Sequence, residues 1–118
     1  MHVTSDARWQ RLLYGVPGEA PHAFGRGGSG PGEFGEPRGL AFAPDGRLFV
    51  ADPALGRITM LRLRQTPGGP DLEYASQIDG FVQPMDVAVA DGGTPADPSD
   101  DRLVVAEAGA HRVTLLAL

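Results

Sequence analysis

The sequence contains no cysteine and no lysine. The first absence excludes disulfides and thiolate metal sites. The second excludes a P-loop, which needs a lysine among its phosphate ligands. All ten basic residues are arginines, scattered singly and outnumbered by fifteen carboxylates, for a net charge of −5. Polyanion binding draws on a concentrated basic surface, so nucleic acid is not an expected partner. No apolar run reaches the length of a membrane span, and the N-terminus lacks the apolar core of a signal peptide. A membrane is therefore not expected as a partner, and a cytoplasmic location is favoured. No helical period is present either.

What the chain does have is glycine (17) and proline (11), nearly a quarter of its 118 residues. At that level disorder competes with folding. Yet 42% of the residues are apolar, in short runs between the Gly/Pro clusters. Short strands joined by tight turns fit this pattern, so the expected class is all-β.

The chain also repeats itself. Pro37–Ala43 aligns with Pro84–Ala90 at an offset of 47, while Arg47–Asp52 aligns with Arg102–Glu107 at an offset of 55. Gly56–Leu61 aligns with His111–Leu116 at the same 55, which places one insertion within Asp91–Asp101. Each unit reads as strand, turn, strand, turn, strand, with Pro44-Asp45-Gly46 a strong turn signal. Leu48–Ala51 and Leu103–Ala106 are apolar on both faces, which predicts strands sandwiched between two layers. Residues 72–78 read as a half-exposed outer strand, and residues 8–14 as another, after a tail at 1–7.

Several spaced elements together resemble the NHL repeat: Phe24-Gly25, Gly27, Gly30 to Phe34, Pro37-Arg38-Gly39, Pro44-Asp45-Gly46, Leu48 to Asp52 and Arg57-Ile58. The second copy resembles it through Pro84, Val87 to Val89, Val104 to Glu107 and His111 to Val113. It departs at Asp86, where the family has glycine, and at Glu107 in place of aspartate. The resemblance implies β-propeller blades: two four-stranded antiparallel blades in one 1–118 unit, the first repeat at 24–78 and the second at 79–118 with a 91–101 insertion. It implies no single activity, because relatives include protein-binding scaffolds, RNA-binding modules and a few metal-dependent lyases or hydrolases.

The carboxylate and arginine closing each unit are five apart, Asp52 with Arg57 and Glu107 with Arg112. Across a hairpin they face each other, and the expectation is a structural ion pair. Gly25-Arg26-Gly27-Gly28-Ser29-Gly30 satisfies G-x-G-x-x-G, but Pro31-Gly32 follows where a phosphate-binding helix is required, so the glycines read as a linker. Asp91, Asp97, Asp100 and Asp101 match no Ca²⁺-loop spacing. His2, His22 and His111 form no ligand set. No catalytic residue, metal or cofactor is expected.

Two blades cannot close a ring, since closed propellers hold about four to eight. The expectation is a non-enzymatic binding or scaffolding module that covers its open ends through self-association or a protein partner. In a three-copy ring, an edge built from Trp9, Leu12, Leu13 and Tyr14 would complete a neighbour's edge at Val113, Leu115 and Leu116. A piece of a longer propeller, with a metal-assisted lyase or hydrolase site in its channel, is the alternative.

Overall fold

The computed structural model describes residues 2–90 and 101–117. These residues form ten strands: β1 (His2–Asp6), β2 (Arg11–Gly15), β3 (His22–Phe24), β4 (Leu40–Phe42), β5 (Arg47–Asp52), β6 (Arg57–Thr66), β7 (Gly69–Asp79), β8 (Pro84–Ala90), β9 (Arg102–Glu107) and β10 (Arg112–Ala117). A single 3-10 turn at Ala108–Ala110 is the only helical piece among the described residues. The strands form three antiparallel sheets, β1-β2-β3, β4-β5-β6-β7 and β8-β9-β10. The protein is all-β, as its composition and turn chemistry predict.

The middle sheet is the centre of the stack because its strands are apolar on both faces. Leu48, Val50, Leu61 and Leu72 pack with Leu12, Tyr14 and Phe34 on the side of the first sheet. Phe49, Ala51, Ile58 and Ala43 pack with Val87, Leu103 and Val105 on the side of the last. Alternation along β5 thus sends odd and even residues into different cores. That is the sandwiching expected of Leu48–Ala51. The 72–78 run belongs to β7, which among the described residues pairs only with β6 and forms the outer edge of the middle sheet.

The N-terminal region differs from expectation. Of the expected tail at 1–7, the described residues are not a tail, since His2–Asp6 is strand β1. Residues 8–14 are not one outer strand: Ala7–Gln10 is a turn, and β2 begins at Arg11. Together with β3 these strands make a sheet of their own. Its register shows what it corresponds to. Asp6 pairs with Arg11, as Asp52 does with Arg57 and Glu107 with Arg112. In all three hairpins the residue before the arginine is left-handed: Gln10 (φ 57), Gly56 (φ 64) and His111 (φ 51). The first sheet therefore matches β5-β6-β7 and has no counterpart of β4 among the described residues. The last matches β4-β5-β6 and has no counterpart of β7 among them. Sheets of three, four and three strands replace the expected pair of four-stranded ones.

Backbone closeness sets the spacing between the last two sheets. A Cβ on Gly39 would lie 2.7 Å from Asp86 Cα and 3.1 Å from Met85 O, so only glycine lets β8 approach there.

Candidate interaction surface and its polar staples

Each hairpin that carries the carboxylate–arginine spacing ends in a polar staple, but the three are wired differently. In the last sheet the pair forms as expected. Glu107 is buried and accepts from Arg112 Nε at 2.8 Å and Arg112 Nη2 at 3.1 Å. It also accepts from the Thr114 hydroxyl and from the Val82 backbone N–H at 2.9 Å. These donors, led by Arg112, hold the Glu107 carboxyl down at about 2. The Val82 bond ties the segment leading into β8 to the end of β9.

In the middle sheet the expected Asp52–Arg57 ion pair is absent, although the two residues are register partners. Aspartate is one methylene shorter, and its carboxylate is taken by backbone: Gly35 N at 2.8 Å, Glu36 N at 2.9 Å and Leu55 N at 3.3 Å. Gly35 stands 47 residues before Val82, so both carboxylates hold the segment that leads into their own sheet. Arg57 is buried and turns to the glycine-rich loop, donating to Ser29 O and Gly30 O at 2.9 Å and Glu33 O at 2.7 Å. Those carbonyls face a cation, and the Gly30 N–H is taken by Glu33. The G-x-G-x-x-G stretch is thus a clamped linker with no helix after it.

In the first sheet Arg11 Nε meets Asp6 at 3.4 Å. This third staple escaped sequence reading because its neighbours match the other units poorly. Its signal was nevertheless present, in the same five-residue spacing from carboxylate to arginine.

The expected assembly edge divides. Leu12 and Tyr14 are buried in the core shared with the middle sheet, and Leu116 packs against the other core. These three are used inside the chain and cannot form an open edge. Burial raises the Tyr14 phenol, whose hydroxyl lies 3.4 Å from Asp71. Trp9 stands exposed in the β1–β2 turn with Arg8 over its ring, and Leu13 is half-buried on the outward face of the first sheet.

Val113 and Leu115 are open to solvent, at 62% and 64% exposure. Register places them on the outward face of the last sheet, in the rows Asp86–Ala106–Val113, Ala88–Val104–Leu115 and Ala90–Arg102–Ala117. Seven of these nine side chains are alanine, valine or leucine. A shallow depression of about 510 Å³ lies beside them, lined by Met85, Ala106, His111 and Val113 among others. The outward face of the first sheet, with Thr4, Arg11 and Asp6 around Leu13, is more polar.

His22 stacks on Tyr14 at 5.3 Å, His2 lies on β1 and His111 forms the left-handed turn before β10. Among the described residues no three His, Asp or Glu side chains are grouped to hold a metal ion. Asp91, Asp97 and Asp100 lie outside the described residues, and Asp101 is buried at the start of β9. No described helix is long and apolar enough to cross a membrane. Comparison of the chain with protein-family models finds no match, and comparison with curated proteins finds none either.

Proposed function

We infer that the protein is a non-enzymatic docking module of propeller-type, NHL-like blades that binds another polypeptide through the outward face of β8-β9-β10. One observation carries this reading. The residues on that open face occupy the positions that the middle sheet buries against its neighbour. Ala88, Val104, Ala106, Val113 and Leu115 stand where the middle sheet has Ala41, Phe49, Ala51, Ile58 and Met60. All five of those are packed into or against the core between the two sheets. A face with blade-core composition and no cover among the described residues marks an interaction surface.

The face also states some requirements of its partner. Asp86 replaces the glycine that allows close approach in the middle sheet, so the partner must recess at that corner or offer a donor to the carboxylate. Arg102, at the opposite end of the face, calls for an acceptor. The partner is a second copy of this chain or a different protein. With three sheets among the described residues of each chain, identical copies would close a propeller in twos, because six is the only multiple of three in the range of about four to eight blades. Such a ring would set the apolar face against the more polar first sheet.

Sedimentation across a wide concentration range tests the reading, with an apolar dye as second probe. Expected are association, or dye binding by the monomer, that Leu115→Arg abolishes while circular dichroism stays unchanged. A monomer that binds no dye and behaves like Leu115→Arg would overturn it.

A further inference from the structure

The geometry points to a single bound water molecule inside the middle sheet, between Asp52, Arg57 and Thr59, where it replaces the reach of the longer Glu107 side chain. The two staples are wired differently, but the donor residues at their matching positions are the same. In the last sheet Glu107 Oε2 accepts from Arg112 Nε and from Thr114 Oγ1. Their counterparts, 55 residues earlier, are Arg57 Nε and Thr59 Oγ1. Both atoms are buried, and among the described residues neither has a hydrogen-bond partner. Among the described residues, two of the three buried side-chain atoms without a partner are therefore the two that a glutamate at position 52 would satisfy.

The registers that place these groups are the same in both hairpins. Asp52 pairs with Arg57 and Val50 with Thr59, as Glu107 pairs with Arg112 and Val105 with Thr114. Replacing glutamate by aspartate withdraws the carboxylate by one methylene. Leaving a buried N–H and a buried hydroxyl without partners is costly, and ordered water is the usual remedy. A water here has the two to four polar partners it needs. It accepts from Arg57 Nε–H, exchanges a hydrogen bond with the Thr59 hydroxyl and donates to Asp52. An ionised carboxylate offers about four acceptor positions, and Asp52 uses three on backbone N–H groups. An anion would suit the two donors but would sit beside the Asp52 carboxylate, so the ligand is water.

A high-resolution crystal structure of the chain, with a parallel bromide soak, reads the site directly. Expected is one well-ordered peak within hydrogen-bond reach of all three side chains, without an anomalous bromide signal. Oxygen-17 relaxation dispersion in solution should count one fewer long-lived water in Asp52→Glu, whose carboxylate takes the peak's place. Thr59→Val should shorten the residence time of that water while leaving the backbone unchanged, which keeps the test decisive if Asp52→Glu fails to fold. Direct contact of Arg57 Nε with Asp52, an anomalous bromide peak, or equal water counts in all the variants would overturn the proposal.

Discussion

Replacing Asp52 by alanine should remove about 3–4 kcal/mol of unfolding free energy. The figure follows from what the side chain holds. Its carboxylate is buried and accepts three backbone N–H groups, two of them at 2.8–2.9 Å and the third, from Leu55, at 3.3 Å. A hydrogen bond to a charged acceptor contributes roughly 1.5–3 kcal/mol, and a donor left without a partner loses a similar amount unless water reaches it. Gly35 and Glu36 are half-buried, so partial rehydration keeps each near the lower figure. The long Leu55 contact adds less than about 1 kcal/mol. Against a typical total of about 5–15 kcal/mol, Asp52→Ala should stay folded but marginal. Asp52→Asn keeps one carbonyl acceptor in the same shape and should lose about half as much. Urea denaturation followed by circular dichroism measures both variants, and amide hydrogen exchange at Gly35, Glu36 and Leu55 tests the cause. A loss below about 1 kcal/mol, with exchange at those amides unchanged, would refute the reasoning.

Arg57→Met should loosen the glycine-rich loop, seen as faster proteolysis between Gly25 and Pro31, at about 2–3 kcal/mol by denaturation. Arg57→Lys should restore little of this, because one ammonium cannot reach three carbonyls in the guanidinium's fork geometry. Gly39→Ala should cost about 1–3 kcal/mol by forcing β8 away from the middle sheet, whereas Gly68→Ala, with only Thr66 Oγ1 nearby at 3.9 Å, should be close to neutral in the same thermal melts. Glu107 sets an acid limit. Its carboxyl is held at about 2 when folded, below its ordinary 4.5, so its stabilisation is complete above that ordinary value and is lost as pH falls from about 4.5 through about 2. Glu107→Gln should flatten the stability–pH curve across that window in acid titrations monitored by circular dichroism.

Alternation and turn chemistry by themselves determined the all-β class, the two matching hairpin units, the outer position of β7 and the double-faced burial of Leu48–Ala51. Each follows from local signals: a period of two, a Pro-Asp-Gly turn, an apolar run without a polar face. Residues that face solvent or core through their own strand are readable this way because the pleat dictates the side. The glycine-rich run also revealed itself, since Pro31-Gly32 denied it a helix.

Tertiary structure alone decided how the staples are wired. One methylene separates Asp52 from Glu107, and whether it matters depends on where Gly35, Glu36 and Val82 bring their N–H groups, which is a property of the packed sheets. The same holds for the first sheet. Asp6, Gln10 and Arg11 carry the right spacing and the left-handed turn, but they are not recognisable as a third unit until Leu12 and Tyr14 are seen filling the middle sheet's core. It holds again for the exposed apolar face of the last sheet. Val113, Leu115 and Leu116 read alike as strand residues, and only the position of the middle sheet turns Leu116 inward and leaves the other two uncovered. Local sequence thus determined the elements and their faces. The stacking order of the sheets decided which polar groups meet and which apolar face remains exposed.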